Sequence, residues 1–137
     1  MAETRILIVD DEAPLREGLR DAFEDMGYAV ATASCAEDAL EMLLREHVDV
    51  CTVDIRLPGI SGNEFIRRAL AMRPRLKFLI YTGSWDYELP PELVRAGVTA
   101  GDVFRKPCTD LAEMARAIDR LAARGESRED PGAQGES

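Results

Sequence analysis

The sequence is poor in the residues that build soft-metal and thiol sites. It holds one histidine, His47, and three cysteines, Cys35, Cys51 and Cys108, which lie far apart and lack the spacing of a zinc site. Scattered cysteines in odd number predict reduced thiols in a reducing compartment, and Cys51, inside an apolar run, is expected to be a small buried hydrophobe. His47 has no serine or cysteine partner nearby, so a place at the surface or at a helix end is favoured over catalysis.

Long apolar runs and a surplus of positive charge are missing as well. No apolar stretch approaches the length that crosses a bilayer, and the chain enters a strand almost at once without a charged-then-apolar leader. Its 17 Lys and Arg residues against 26 Asp and Glu give a net charge of -9, which disfavours nucleic acids and anionic membranes as partners. We therefore expect a cytoplasmic protein that attracts cations and basic surfaces.

The chain does contain alternating strand and helix patterns sufficient for one domain. It has 137 residues, of which 46% are apolar and 31% charged, an ordinary balance for a globular domain. Five apolar runs alternate with segments of helical periodicity, which predicts a single α/β domain with a five-stranded parallel sheet and helices on both faces. The predicted strands are 5–9, 28–33, 48–54, 77–82 and 103–105.

Capping signals predict where the helices begin. Ser34 with Glu37, and Ser61 with Glu64, form capping-box patterns ahead of the second and third helices. The first helix starts at Pro14, and poor helix formers after the fourth strand predict a short fourth helix near residue 91. The last helix carries its apolar stripe over residues 111–122. The polar segment 125–137 is expected to be a disordered tail or a linker stub, which leaves a domain at 1–124.

Polar side chains follow the predicted strands at the edge where parallel strands end. They are Asp10 and Asp11 after the first strand, Asp54 at the end of the third, Thr82 at the end of the fourth and Lys106 after the fifth. Ligands of open α/β sheets gather outside this edge. Clustered carboxylates repel one another unless protons or a cation compensate, and oxygen ligands without histidine or thiolate suit Mg²⁺. The pattern predicts in-line attack of Asp54 on a phosphoryl group, which Lys106 and Thr82 help to hold.

Each of these signals has an ordinary structural interpretation when it is taken alone. Asp54 could cap a turn, and Thr82 or Lys106 could belong to a plain strand end or loop. The run Asp10-Asp11-Glu12 could merely favour the start of the first helix through its dipole. Phosphoryl-transfer chemistry would be absent only if all of these ordinary interpretations held together, which favours the functional interpretation. Gly83, beside Thr82, leaves room for a tetrahedral group.

Taken in order, the motifs resemble the receiver domain of two-component response regulators over about residues 4 to 124. The segments that carry the resemblance are Asp10-Asp11, Val53-Asp54 with Pro58-Gly59, Thr82-Gly83 and Lys106-Pro107. The resemblance implies a flavodoxin-like strand order 2-1-3-4-5 and a protein that is a phosphoacceptor and not a conventional enzyme. No one of these segments is specific, but the ordered set is.

The resemblance also implies roles and partners. Asp54 is expected to take a phosphoryl group from a phosphohistidine on a sensor histidine kinase or a histidine phosphotransfer protein. Mg²⁺ is expected on Asp10, Asp11, Asp54 and the backbone carbonyl of Arg56, while Thr82, Gly83 and Lys106 contact the phosphoryl group. The domain is expected to be a monomer or weak dimer that signals to a downstream protein through the side formed by its fourth helix, fifth strand and fifth helix.

The sequence departs from the family pattern on that signalling side. Receivers usually carry Phe or Tyr three residues before the lysine, whereas this chain has Val103 there. Phe104 is the next residue, and strand alternation directs it to the opposite face. Pro90-Pro91 and the segment 97–102 reshape the surroundings of the fourth helix. We expect the phosphorylation chemistry to be retained and the readout to pass instead through the loop from Gly83 to Pro91.

Other function classes fit the residues less well. A flavodoxin-like FMN binder needs a phosphate-cradling loop after the first strand, where Asp10-Asp11-Glu12 would repel phosphate. A phosphorylation-independent interaction module with a receiver-like fold is favoured by Val103 and disfavoured by the complete set of polar residues. A hydrolase with Asp54 as transient nucleophile lacks a second acid to activate water. No output domain is recognisable, so the chain is expected to be a stand-alone receiver or the N-terminal part of a longer regulator.

Overall fold

The computed structural model describes the backbone of residues 3–133 and the side chains of residues 3–125. All strands pair in parallel, in the order β2-β1-β3-β4-β5. The predicted α/β fold and its strand order are therefore confirmed. The strands are β1 (Arg5–Val9), β2 (Ala29–Ala33), β3 (Val50–Val53), β4 (Lys77–Thr82) and β5 (Val103–Arg105); the helices are α1 (Ala13–Asp25), α2 (Ala36–Arg45), α3 (Gly62–Met72), α4 (Pro91–Arg95) and α5 (Leu111–Ala133).

Side-chain alternation along the strands divides the core into two layers. Residues such as Leu7, Cys51 and Ile80 face a layer that contains the buried side chains of α2, α3 and α4. Their strand neighbours, such as Ile8 and Leu79, face a second layer that contains those of α1 and α5. All four residues of β3 are buried, as expected for a central parallel strand, and each fully buried Val, Leu or Ile stabilises the fold by about 1.5–3 kcal/mol.

The two ends of helix α1 show how local sequence sets helix boundaries. Pro14 lies in the first turn of α1, where its missing N–H costs no helical hydrogen bond. Gly27 follows the helix with φ 101°, a conformation that favours glycine. Phe23 of α1 then packs edge-on against Tyr28, with 5.9 Å between the ring centroids. Helix α1 thus packs with its buried face in the second core layer, beside the side chains of β1.

The capping predictions hold at one helix and fail at another. Ser61 caps α3, and its Oγ accepts a hydrogen bond from the Glu64 N–H at 3.2 Å. The Glu64 carboxylate bonds to arginines of the same helix and so does not complete a reciprocal box. The capping box predicted for Ser34 and Glu37 is wrong. Helix α2 begins at Ala36 with Cys35 as its N-cap, which leaves Ser34 one residue too early to cap it.

The end of the chain also differs from the prediction. Helix α5 extends through Gly125 to Ala133, whereas the sequence predicted a disordered tail or a linker stub from residue 125. The domain boundary at residue 124 stays a prediction. Met114, Ile118 and Leu121 pack the first turns of α5 into the core, and once a helix is nucleated each further residue adds at little cost. Residues 134–137 lie outside the described part of the chain.

An acidic pocket at the carboxyl edge of the sheet

The pairing of β1 with β3 brings two carboxylates together. Val9 and Val53 are register partners, so Asp10 and Asp54 leave the sheet side by side. The Asp54 N–H donates to the carbonyl of Val9 at 3.0 Å, and both aspartates are buried. Carboxylate oxygens of Asp10, Asp11 and Asp54 all lie within 4.8 Å of one another. The clustering of these three residues, predicted from the strand ends, is thus present in the structure.

Backbone N–H groups orient the two buried carboxylates. Oδ1 of Asp10 accepts a hydrogen bond from the Glu12 N–H at 2.9 Å, and Oδ1 of Asp54 accepts one from the Arg56 N–H at 3.1 Å. Arg16 reaches back from α1 and donates to the backbone carbonyl of Asp10 at 2.8 Å. These bonds hold the loops after β1 and β3 in place and leave Oδ2 of each aspartate directed at the pocket.

Lys106 brings a positive charge to the same pocket from β5. Its Nζ lies 3.0 Å from Oδ2 of Asp10 and 3.4 Å from Oδ2 of Asp54. A third carboxylate, that of Glu12, approaches Nζ at 3.1 Å. The Lys106 backbone is fixed by its N–H, which donates to the carbonyl of Thr82 at 2.8 Å, and it precedes Pro107 through a cis peptide bond.

Burial and charge act in opposite directions on the titrating groups. Burial raises the pKa of Asp54 above its ordinary value, the nearby charge of Asp10 adds to the rise, and Lys106 and the Arg56 N–H oppose it. Burial alone would lower the pKa of Lys106. The hydrogen bonds to Asp10 and Glu12 outweigh that effect, so the pKa of Lys106 is raised and the ammonium stays charged. The pocket therefore holds more negative charge than its single lysine neutralises.

Thr82 and Gly83 lie next to Lys106 at the end of β4. Thr82 is fully buried, and its Oγ1 accepts a hydrogen bond from the Ser84 N–H at 3.0 Å. A Cβ built on Gly83 would have only the Lys106 Cδ within 4 Å, at 3.9 Å. A side-chain atom at Gly83 would therefore make only an ordinary contact with Lys106. Arg56 is exposed in the loop after Asp54.

Two residues of this region were missed by the sequence-based prediction. A Cβ on Gly62 would lie 2.4 Å from the carbonyl oxygen of Asp54 and 2.7 Å from Cα of Ile55, so only glycine fits at the start of α3. No backbone signal in a single sequence reveals that close approach. The contact of the Glu12 side chain with Lys106 was not predicted, because the two residues are 94 positions apart and no local pattern signals it.

On the expected signalling side, β5 packs against both core layers and bonds to the loop after β4. Val103 packs in the layer of α2, α3 and α4, and Phe104 packs in the opposite layer, as strand alternation predicted. Arg105 donates from Nε to the carbonyl of Trp85 at 3.3 Å and from Nη2 to that of Tyr87 at 3.2 Å. The loop after β4 is therefore tied to β5 through its backbone.

The two aromatic residues of that loop differ in environment. The Trp85 side chain is 87% exposed. Tyr87 is partly buried against the core, and its hydroxyl donates to Oδ1 of Asn63 in α3 at 2.8 Å. The loop thus contacts both β5 and the start of α3 while it presents an indole to solvent.

Comparison with known proteins identifies the family. A model of the response regulator receiver domain matches residues 6–119. The chain belongs to this family. Receiver domains are phosphoacceptors of two-component systems that act with histidine kinases or phosphotransfer proteins, and they are generally not conventional enzymes. The resemblance found in the sequence is therefore confirmed.

Similar receivers occur in longer regulators. The chain is 35% identical over 131 residues to the alginate biosynthesis transcriptional regulatory protein AlgB of Pseudomonas aeruginosa, with 92% of this chain and 29% of AlgB covered. It is 30% identical to the response regulator GacA of the same organism, with 87% of this chain and 55% of GacA covered. The receiver described here thus spans less than two thirds of the length of either relative.

Solved receiver domains have the same fold. A CheY-like receiver from Methanospirillum hungatei superposes with a TM-score of 0.81 at 27% identity, covering 93% of this chain and 99% of that one. The regulator TrrA from Thermotoga maritima, solved in complex with Mg²⁺ and BeF, gives a TM-score of 0.74 at 28% identity, covering 86% and 98%. The described part of this receiver contains no helix long and apolar enough to cross a membrane.

The donor atoms of the acidic pocket fit the cation that the family implies. The cluster offers only carboxylate oxygens, from Asp10, Asp11 and Asp54, and the fold places no histidine or cysteine among them. Mg²⁺ takes one or two carboxylates together with backbone and water oxygens, whereas zinc favours nitrogen and sulfur. Asp11 is exposed, which leaves an entry path from solvent. A hard divalent cation therefore matches both the chemistry and the excess negative charge of this pocket.

Proposed function

We propose that this receiver accepts a phosphoryl group on Asp54 from the phosphohistidine of a sensor histidine kinase or a histidine phosphotransfer protein. The observation that carries the proposal is the convergence of Lys106 on the acid cluster, with its Nζ 3.4 Å from Oδ2 of Asp54. A nucleophilic carboxylate, a fixed cation and clustered oxygen ligands form the set that in-line phosphoryl transfer requires.

Each residue of the pocket has a role in this reaction. An Asp54 oxygen attacks phosphorus, so that a P–O bond forms while the P–N bond of the donor breaks. Lys106 and the Thr82 hydroxyl hold the equatorial oxygens, and Gly83 leaves space for them. The cation's ligands would be Asp10, Asp11, Asp54 and the Arg56 carbonyl. When bound, Mg²⁺ supplies neutralisation of the charge that develops on the phosphoryl oxygens.

We further propose that the readout uses the loop 83–90 on the side formed by α4, β5 and α5. Val103 offers no aromatic ring that could change rotamer, whereas Arg105 holds the loop through two backbone carbonyls. Amide chemical shifts compared with and without beryllofluoride, a phosphoryl mimic, test this part. Shifts that stay within the acidic pocket would count against the loop as the moving element.

The chemistry is tested by incubation with phosphoramidate and Mg²⁺ followed by intact-mass measurement. We expect one phosphate adduct on the wild type and none on Asp54→Ala. Asp21→Ala is the matched control, because it removes an exposed aspartate from α1 and keeps the pocket. Absence of an adduct on a folded wild type contradicts the proposal.

A second candidate function is favoured by one observation. Val103 in place of the usual aromatic residue is compatible with a receiver-like interaction module that works without phosphorylation. That candidate gives no adduct in the mass experiment and no shift with beryllofluoride. In either case we propose that the domain acts on a downstream protein target, or on an output region of a longer chain such as those of its relatives.

A further inference from the structure

The ammonium of Lys106 is fully engaged by carboxylates. A lysine ammonium has three N–H donors, and three carboxylates lie within hydrogen-bonding distance of Nζ in this pocket. Asp10 is at 3.0 Å, Glu12 at 3.1 Å and Asp54 at 3.4 Å. A phosphoryl group on Asp54 can reach the ammonium only if at least one of these contacts is released.

Two of the three contacts are claimed by the proposed chemistry. Asp54 is the residue that carries the phosphoryl group, and Asp10 belongs to the cluster of cation ligands. Glu12 does not belong to that cluster, and its side chain is 61% exposed. The contact between Glu12 and Lys106 is therefore the one that phosphorylation leaves in place.

The backbone of Glu12 is a rigid support for this contact. Glu12 is the N-cap residue of α1. Its N–H donates to Oδ1 of Asp10 at 2.9 Å, and its carbonyl accepts the helical hydrogen bond from the Arg16 N–H at 2.9 Å. The carboxylate thus extends toward Lys106 from a fixed point at the mouth of the pocket.

Lys106 needs such a support because its side chain is long and flexible. Its ammonium lies over the ring of Tyr81, whose centroid is 5.6 Å from Nζ. The Tyr81 hydroxyl accepts a hydrogen bond from the Cys108 N–H at 2.9 Å, which fixes the ring. Once Asp10 and Asp54 take other partners, Tyr81 and Glu12 are the neighbours that still define the place of the ammonium.

We propose that Glu12 is a positioning residue for phosphoryl transfer, whose carboxylate holds Nζ of Lys106 at the mouth of the pocket, where the phosphoryl oxygens arrive. The proposal rests on the function proposed for Asp54. Glu12 neither gives nor takes a proton or a bond in the step. It acts through the geometry of Lys106, and only the P–N and P–O bonds change.

The kinetic test compares Glu12→Ala and Glu12→Gln with the wild type. Phosphorylation by phosphoramidate with Mg²⁺ is followed over a range of donor concentrations. We expect Glu12→Ala to lower the limiting rate by about two- to fivefold, the effect of losing one partly exposed ion pair, with an unchanged half-saturating concentration. Glu12→Gln keeps an acceptor oxygen and should fall between the two. Equal acceleration in both variants would show that Glu12 only repels the anionic donor, and unchanged rates would show no role; either result overturns the proposal.

A second measurement needs neither phosphate nor metal. In an Mg²⁺-free Asp10→Asn/Asp54→Asn background, where these two side chains no longer hold Nζ as anions, the NMR order parameter of the Lys106 Cε methylene should fall on addition of Glu12→Ala and recover in part with Glu12→Gln. Glu24→Gln, at the far end of α1, removes the same charge without contact to Lys106 and should change nothing. Unchanged mobility in Glu12→Ala contradicts the positioning role. If the wild type takes no phosphate while this mobility does change, the function proposed for Asp54 fails and the restraint on Lys106 stands.

Discussion

At the scale of single residues, Asp54 lies where its charge destabilises the folded chain. Its carboxylate is buried beside Asp10, and burial raises its pKa. Because the folded-state pKa is above that of the unfolded chain, the folded protein binds a proton on Asp54 first as the pH falls. The penalty from this group is thus fully present above the folded-state pKa and is relieved as the pH drops through it.

Replacement of Asp54 by asparagine is therefore expected to stabilise the Mg²⁺-free protein. The amide keeps the shape and the hydrogen bond from Arg56 while it removes the buried charge. We expect the free energy of unfolding in urea to rise by about 1 kcal/mol at neutral pH, the usual scale of a single-residue effect. The advantage over wild type should shrink as the pH is lowered through the pKa of Asp54. An advantage that persists unchanged at low pH would assign it to something other than this charge.

Gly62 is the residue whose substitution should affect the backbone around Asp54 most directly. Alanine there would place Cβ 2.4 Å from the carbonyl oxygen of Asp54, so the loop or the helix must shift. We expect Gly62→Ala to lower the free energy of unfolding by about 1–3 kcal/mol, as overpacking does. Gly18→Ala in α1 is the control. Nothing lies within 4 Å of its Cβ position, and it should stabilise the helix by about 0.5–1 kcal/mol.

At the scale of elements, the loop between β4 and α4 is held by contacts at two points. Arg105 bonds to the carbonyls of Trp85 and Tyr87, and the Tyr87 hydroxyl bonds to Asn63. The helix that follows, Pro91–Arg95, is short: Pro90 is its N-cap, Pro91 its first residue, and Gly97 follows its end with φ 106°. Arg105 of β5 therefore restrains the backbone of this loop through hydrogen bonds to two of its carbonyls.

Loss of the Arg105 side chain should free this loop without unfolding the domain. In Arg105→Ala, we expect the backbone order parameters of residues 85–87 to fall from rigid values of about 0.85 toward about 0.6. Arg105→Lys should give intermediate values, since a single ammonium cannot match the planar fork that reaches both carbonyls. Arg95→Ala, which removes a positive charge from α4, is the matched control. Equal order parameters in Arg105→Ala and wild type would show that the loop does not depend on this residue.

At the scale of the whole molecule, excess negative charge and the acidic pocket act together. The chain has a net charge of -9, and three of its carboxylates converge in one place. A divalent cation bound there relieves repulsion only in the folded state, because the cluster does not exist in the unfolded chain.

Mg²⁺ should accordingly raise the thermal midpoint of unfolding more than NaCl of equal ionic strength. Binding to the folded state alone adds about 1.4 kcal/mol at a concentration ten times Kd. Asp11→Asn is expected to remove most of this difference, because Asp11 is an exposed member of the cluster and contributes little to the core. Equal midpoints in the two salts for wild type would contradict cation binding at the pocket.

The sequence predicted those features that depend on strand periodicity and on order along the chain. The parallel sheet and the clustering of Asp10, Asp11, Asp54 and Lys106 follow from the positions of polar residues at strand ends. The fit of Gly62 against Asp54 and the contact of Glu12 with Lys106 were missed, because both depend on distances between remote segments. The continuation of α5 past residue 124 was not predicted, because the polar composition of segment 125–137 indicates only that the segment is not buried. It does not show whether the preceding helix continues.

The absence of space between Gly62 and the loop after β3 has a mechanical consequence. The carbonyl of Asp54 rests against the first residue of α3, and the next residue, Asn63, holds the hydroxyl of Tyr87. A movement of the Asp54 carbonyl toward α3 would therefore displace the start of that helix. Because Asn63 is bonded to Tyr87, the displacement would also reach the loop that carries Trp85. These contacts connect the Asp54 backbone with the exposed loop by a path that does not include β5.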